Sequence, residues 1–501
     1  MSRHSPEWWC STADVKTDLG ELTIRSGRAA SISQLLKALV ELAATLVLAR
    51  LLLPSDFGLV GMVAVLTGFV ALFNDLGLAT VTVQRDDLDP SDVSSLFWLN
   101  TALGVALCAI TALSAPLVAA FYQESRLTPI ACVLGASFAL TGVTVQHRAL
   151  LRRRMMNARL AGVELTQTVV GVVAAVWLAT QGFGVWAIAL RSPIGAAAGV
   201  VATFLACDFR PQAKLRSQKL GLLFGSGARL TGFTVVNYLA RNFDNLLIGR
   251  YAGAHALGLY SRAYDLLMLP IRQISDPASA VAVPSLSRVV DEPERYRSAF
   301  LRMLEKVLLL SFPLGAFLMA SSDAVIELVL GSRWSGASSI FFWLGWLTFS
   351  QPIGNATGWL FVSQGRTSEL FRWGILGASL SVASFLVGLP WGAEGVAMAY
   401  SLSGVAVRMP IVLFLACRTG PVRVVHVVRV ALPIVMAALA SLGMGLLARR
   451  LVGPTPPVVT LLMTAGVCAG TMVTLLLPFA FGRRALSDLV MIADFRRRFP
   501  S

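Results

Sequence analysis

Residues 96–119 read LFWLNTALGVALCAITALSAPLVA, twenty-four positions without one charged side chain. A run of about 20 apolar residues is long enough to cross the hydrocarbon core of a bilayer as a helix. Comparable runs recur along nearly the whole chain, separated by short basic loops. Hydrophobic residues make up 56% of the 501 positions and charged residues 14%. The mean hydropathy is +0.71. A soluble chain of this length would need far more polar surface, so the sequence describes an all-α polytopic membrane protein. The prior of one domain per ~150 residues does not transfer to a helical bundle in lipid.

Fourteen spans are expected, at 31–50, 57–78, 96–119, 127–146, 160–179, 184–206, 224–248, 257–278, 300–320, 340–362, 370–389, 395–416, 427–447 and 458–480. The net charge of +15 raises nucleic acid as a partner, but basic loops anchoring cytoplasmic ends explain it better. With a cytoplasmic N-terminus, roughly 27 lysines and arginines fall inside and roughly 6 outside. Both termini are then cytoplasmic, which an odd count of thirteen spans would violate. The longest external loop, 321–339, leaves no room for an extracytoplasmic domain. The first 29 residues contain no apolar h-region, so no cleaved signal peptide is expected.

Two segments 200 residues apart look alike. Leu46-Val-Leu-Ala-Arg50 leads through a short turn to Gly58-Leu59, and Leu246-Leu-Ile-Gly-Arg250 leads similarly to Gly258-Leu259. If span seven repeats span one, the chain is two six-helix bundles plus two extra helices. The corresponding boundaries are a cytoplasmic segment 1–29, bundles at 30–219 and 220–417, two added helices at 418–481, and a basic tail at 482–501. Parallel repeats of this kind occur in alternating-access transporters.

Charges at bilayer depth cost a few kcal/mol on insertion scales and mark cavities or partners. The basic candidates are Lys37, Arg191, Arg229, Arg241, Arg262, Arg272, Arg302, Lys306 and Arg408. The acidic ones are Glu41, Asp75, Glu164, Asp244, Asp265 and Asp276. Arg302 and Lys306, near a span end, read as snorkelling side chains. Arg191 and Arg408 read as snorkelling or internally paired. Lys37 with Glu41 is an i,i+4 pair that either neutralises itself or lines a cavity. Arg241 with Asp244 and Arg262 with Asp265, both i,i+3, leave the same two readings open. Asp75 reads as a helix-end anchor more readily than as an ion-coupling group. The cationic excess suits an anionic substrate, and the planar guanidinium fork matches phosphate.

Gly195/Gly199, Gly354/Gly358 and Gly466/Gly470 have the spacing of close helix crossings. Pro270 and Pro352 fall mid-span, where kinks are expected. The six cysteines and four histidines are scattered, with no CxxC pair, so neither a disulfide framework nor a metal or cofactor site is indicated. There is no G-x-x-x-x-G-K-[ST] loop and no catalytic constellation. Asn355-Ala-Thr357 is a sequon inside a span and is discounted.

Several segments carry a resemblance. Arg50-Leu-Leu-Leu-Pro54-Ser-Asp56-Phe57-Gly58 and Phe73-Asn-Asp75-Leu-Gly77-Leu, with Gln84-Arg85, resemble the first turn and second helix of polysaccharide exporters. Asp244-Asn-Leu-Leu-Ile-Gly249-Arg250, Gly253, and Leu257-Gly258-Leu-Tyr260-Ser-Arg262-Ala263-Tyr264 are similar to their most recognisable segment. Gln364-Gly365-Arg366 and Gly392-Ala-Glu-Gly395 fit later positions. The family is the Wzx-like polysaccharide transport (oligosaccharide flippase) group of the multidrug/oligosaccharidyl-lipid/polysaccharide exporter superfamily. The likeness covers the chain from about residue 31 to the fourteenth span; residues 1–27 lie outside it. It implies flipping of an undecaprenyl-pyrophosphate-linked oligosaccharide across the bacterial inner membrane, without catalysis. It also implies membrane lipids, a polysaccharide polymerase and a chain-length regulator as partners. By position, Arg28, Lys37 and Arg262 match the arginines that meet pyrophosphate in the related lipid II flippase, with Arg241 supporting. Glu41, Asp75, Asp244 and Asp265 are the ion-coupling or charge-pairing candidates. A multidrug-type exporter on the same fold is the first rival, disfavoured by the cationic excess. A membrane glycosyltransferase or polysaccharide polymerase is the second, disfavoured by the short loops.

Overall fold

The structure, a computed structural model, describes residues 19–74, 79, 82–83, 89–212 and 227–478. Inside the helices it says nothing of the side chains at 19–31 and 227–237. Among the described residues there is no strand. The helices are α1 (Leu19–Leu51), α2 (Pro54–Ala71), α3 (Pro90–Tyr122), α4 (Leu127–Arg153), α5 (Asn157–Thr180) and α6 (Val185–Ala206). The segment Gly227–Ser287 is interrupted only at Gly253, giving α7 (227–252) and α8 (254–287). Then come α9 (Pro293–Ala320), α10 (Ala337–Gly345 and Leu347–Ser363) and α11 (Thr367–Gly388). α12 combines Gly392–Ser403, a π turn at Gly404–Arg408, and Met409–Cys417; α13 (Val424–Val452) and α14 (Pro457–Leu476) complete the set. The all-α, fourteen-helix membrane architecture expected from the sequence is what is observed.

Ten stretches are long and apolar enough to cross a membrane, one of which, Thr367–Cys417, covers both α11 and α12. The helices outside that set are α7, α8 and α10. Arg262, Asp265, Arg272 and Asp276 dilute the apolar character of α8, and α10 consists of two shorter pieces that meet at Trp346. Leu113, Leu117 and Leu205 are 78%, 73% and 81% exposed. That exposure would be costly in water and is neutral against lipid tails.

By compactness the chain divides into Met1–Gly258 and Leu259–Ser501. In the first unit α3 packs on α4, α5 on α6, and α1 on α5. In the second, α9, α10, α12 and α13 share one core built on Phe300, Phe312, Phe349, Trp359 and Phe361. Loop 321–339 is more ordered than its composition suggests. It contains a helix at Ser322–Val329 and a 3-10 turn at Ser332–Trp334.

The two similar segments explain themselves once their contact is seen. Pro54 occupies the first turn of α2, and the Asp56 carboxylate accepts the Leu53 amide at 3.0 Å, so the helix starts sharply. In the second segment the corresponding break is Gly253, with φ +83°, a left-handed value that a β-carbon disfavours. A β-carbon on Gly58 would overlap the Ala254 carbonyl, and one on Gly258 would overlap the Pro54 carbonyl. Adding or subtracting 200 turns one contact into the other. Self-complementary contacts of this kind are what a local twofold axis produces. α7 continues the packing on α2: the Tyr238 hydroxyl donates to the Val65 carbonyl at 3.1 Å.

Other expectations need correction. Pro270 lies inside the helical backbone of α8, and the non-helical residue of the 227–287 segment is Gly253. The two pieces of α10 meet at Trp346, whose backbone stays in the right-handed helical region, and Pro352 lies inside the second piece. Of the glycine pairs, Gly195/Gly199 marks a close crossing, whereas a β-carbon at Gly354, Gly358, Gly466 or Gly470 would meet open space among the described residues.

Candidate functional site

The first unit carries a ladder of charges across α1, α5 and α6. Lys37 and Glu41 are one turn apart on α1, yet each side chain reaches a different neighbour. The Lys37 ammonium lies 3.8 Å from Glu164 on α5. Arg191 on α6 donates to the Glu41 carboxylate. One layer further, Arg148 on α4 donates to Gln167 on α5 at 2.6 Å. The i,i+4 neutralisation available to Lys37 and Glu41 is therefore replaced by cross-helix pairs.

Small residues make this possible. A β-carbon on Gly171 would press on the Arg191 carbonyl at 2.8 Å, and one on Gly195 on the Gln167 carbonyl at 2.7 Å. At Gly199 it would lie 2.9 Å from the Gln167 amide oxygen and 3.2 Å from the Arg148 guanidinium. The α5–α6 crossing is close because these positions lack side chains, and that closeness brings polar groups within reach of one another.

Strength differs along the ladder. The Lys37–Glu164 contact is loose, and the Lys37 side chain is 37% exposed. An anion can therefore replace Glu164 as its partner. Arg191–Glu41 is a charge-assisted hydrogen bond. Glu41→Gln should lower stability by only about 1 kcal/mol, since a partly exposed pair is worth little. The Glu41→Gln/Arg191→Gln variant should recover part of that loss, as thermal unfolding of the detergent-solubilised proteins would reveal. A loss in the double variant equal to the sum of the singles would mean that the two groups act independently.

In the second unit Arg262 and Asp265 form the expected i,i+3 pair on α8, at 3.1 Å. The Arg262 side chain remains 29% exposed. Arg408, at the end of the π turn in α12, donates to the Ser381 hydroxyl at 2.8 Å and the Tyr400 carbonyl at 2.6 Å. Its guanidinium carbon lies 4.0 Å from the Tyr400 ring centroid. Among the described residues no carboxylate pairs with Arg408. A cation at membrane depth is thus held by neutral oxygens and an aromatic face. Of the two open readings, snorkelling or internal pairing, the second holds, with partners that were not legible because a π turn has no sequence signature and shifts the register of the side chains that follow.

The remaining candidates separate. Arg241 is exposed and, among the described residues, makes no ion pair. Asp244 is buried and accepts the Asn245 amide at 2.7 Å, so the open i,i+3 pair reading of Arg241 with Asp244 is corrected. α1 begins at Leu19, so Arg28 lies within its backbone rather than ahead of it. The Arg28 side chain and all of Asp75 lie outside the described residues. Among the described residues no cluster of histidine, cysteine or carboxylate side chains could hold a metal ion.

The resemblance motifs lie at helix junctions. Gly365 has φ +70°, and the turn it makes delivers Arg366 to the end of α12. There Arg366 donates to the carbonyls of Leu415, Ala416 and Thr419 at 2.9, 2.8 and 3.2 Å.

Residues 47–339 match a protein-family model described as polysaccharide biosynthesis protein. The chain belongs to that family. This polysaccharide biosynthesis protein is 28% identical over 320 residues to the teichuronic acid biosynthesis protein TuaB of Bacillus subtilis, a match covering 61% of this chain and 64% of TuaB. It is 25% identical over 391 residues to the lipopolysaccharide biosynthesis protein WzxC of Escherichia coli, covering 77% and 79%. It is 24% identical over 309 residues to the succinoglycan biosynthesis transport protein ExoT of Rhizobium meliloti, covering 61% and 62%. The match thus spans less than two thirds of TuaB and of ExoT. Among solved structures, the lipid II flippase MurJ in an inward closed conformation gives a TM-score of 0.72 at 14% identity, over 91% of this chain and 99% of that one. An inward-facing multidrug resistance transporter of the MATE family gives 0.60 at 16% identity, over 76% and 94%. At these identities the likeness establishes the fold.

Proposed function

We propose that this protein translocates an undecaprenyl-pyrophosphate-linked oligosaccharide from the cytoplasmic to the outer leaflet of a bacterial inner membrane, by alternating access. The observation that carries this reading is membership of the polysaccharide biosynthesis family by a chain that is almost entirely membrane helix. The printed names of TuaB, WzxC and ExoT point to polymer synthesis and its transport. The work is carriage rather than bond-making, with no cofactor and no nucleic acid. A polymerase and a chain-length regulator would act on the product. Both termini are cytoplasmic in this reading, from the loop charges. Two bundles at 30–219 and 220–417, followed by the added helices at 418–481, are its moving parts.

Lys37 and Arg262 are the proposed contacts for the diphosphate, with Arg241 and Arg28 supporting. Both Lys37 and Arg262 have a carboxylate partner and partial exposure. A diphosphate competes with that carboxylate as the partner, and release returns the charge to it. Glu41, Asp265, Asp244 and Asp75 serve as the pairing or ion-coupling carboxylates. The MATE likeness favours a second reading, export of a small molecule. The paired arginines and lysine fit an anionic cargo better than a cationic drug.

Arg262→Glu should abolish polymer export in a deletion strain while the protein remains inserted and abundant. Arg262→Lys should retain part of it, since the charge survives and the bidentate fork does not. Full export by Arg262→Glu would remove Arg262 from the binding role. Normal outer-leaflet delivery of labelled lipid-linked oligosaccharide in the deletion strain would overturn the transport reading itself.

A further inference from the structure

A second polar site lies where the start of α11 meets the end of α12, away from the charges already described. Arg366 grips Glu369 through both carboxylate oxygens, Nε to Oε1 at 2.9 Å and Nη2 to Oε2 at 2.8 Å. That carboxylate is spent. Glu369 also lines a cavity of about 470 Å³, together with Ser368, Arg372, Trp373, Leu376 and Arg418, among others. Arg372 and Arg418 are exposed and, among the described residues, carry neither an ion pair nor a hydrogen bond. The cavity therefore presents two guanidiniums, Arg372 and Arg418, whose charges act together with Arg366 on the single Glu369 carboxylate and leave the mouth cationic.

What continues from it is apolar. Leu376 lines the cavity. Ile375 and Phe414, on the same two helices, are 47% and 59% exposed, and both helices belong to a membrane-crossing stretch. Trp373 also lines the cavity and packs against the core of the second unit. We propose that the cavity holds the phosphate headgroup of an anionic phospholipid, with its acyl chains lying along α11 and α12. Two guanidiniums match a phosphodiester. Basic recesses between membrane helices are suited to anionic headgroups. The apolar flank gives a lipid an advantage that a free phosphate lacks. The inference is independent of what the protein transports.

The test uses the full-length protein, stripped of lipid and titrated with phosphatidylglycerol, phosphatidylcholine or inorganic phosphate under native mass spectrometry. The unaltered protein should retain phosphatidylglycerol in preference to phosphatidylcholine. Arg372→Gln/Arg418→Gln should lower phosphatidylglycerol retention by about tenfold and leave phosphatidylcholine unchanged. Arg372→Lys/Arg418→Lys should keep most of the retention, which separates loss of charge from loss of fold. Equal phosphatidylglycerol retention by the unaltered and glutamine proteins would overturn the site. So would displacement of the lipid by inorganic phosphate alone, which would make it a plain anion site. Stronger retention of undecaprenyl phosphate than of phosphatidylglycerol would assign the cavity to the cargo and overturn the phospholipid reading.

Discussion

Gly258→Val should abolish polymer export and lower the melting temperature of the purified protein by several degrees. The reason is the reciprocal crossing of the two repeated segments. A β-carbon at Gly258 overlaps the Pro54 carbonyl, and one at Gly58 overlaps the Ala254 carbonyl. Both obstacles are backbone atoms, which cannot rotate aside as a side chain can, so the segments must separate. Overpacking costs about 1–3 kcal/mol in ordinary cores, and a backbone obstacle puts this site at the upper end. Gly58→Ala should behave the same way. Because both contacts belong to one crossing, Gly58→Ala/Gly258→Ala should cost less than the sum of the singles. Wild-type thermal stability in Gly258→Val would show that the crossing does not form in the membrane.

Arg366→Ala is expected to be nearly as damaging. The Arg366 side chain is 12% exposed, and it satisfies three carbonyls at the end of α12 as well as both oxygens of Glu369. The last carbonyls of a helix have no partner within the helix. Removing the guanidinium leaves them and a carboxylate unmet at one junction. Because Glu369 is 43% exposed and can turn to water, the pair itself contributes little, and the cost comes mainly from the carbonyls left without a donor, about 1–3 kcal/mol each where they stay buried. Arg366→Lys should recover only a small part, because an ammonium cannot serve a carboxylate and several carbonyls at once. Protein yield and thermal unfolding in detergent measure both effects; a lysine variant as stable as the original would reduce Arg366 to a simple charge.

These two positions show what the resemblance motifs encode. Pro54, Asp56, Gly58, Gly253, Gly258, Gly365 and Arg366 all start, end or cross helices. A family recognised by them is recognised by how its chain turns and packs, and they say little about the cargo. Of the charges proposed to meet the cargo, Arg262 lies inside one of these motifs, whereas Lys37 and Arg241 lie outside them.

The sequence by itself determined the helices, their number and their family. Apolar run length is a local property, and partitioning into lipid depends on little else. The likeness of the two segments was legible too, and the structure places Gly58 and Gly258 in one reciprocal contact. Only the tertiary structure decided who pairs with whom. Lys37 and Glu41 read as one pair along a helix, yet Glu164 takes the first and Arg191 the second. Asp244 accepts the Asn245 amide, and among the described residues Arg241 makes no ion pair. The break after α7 fell at Gly253, between the expected spans 224–248 and 257–278, where a positive φ suits glycine. Side-chain pairing at membrane depth follows the distance between helices, and that distance follows from residues such as Gly171 and Gly195 on other helices. No window along one helix contains that information.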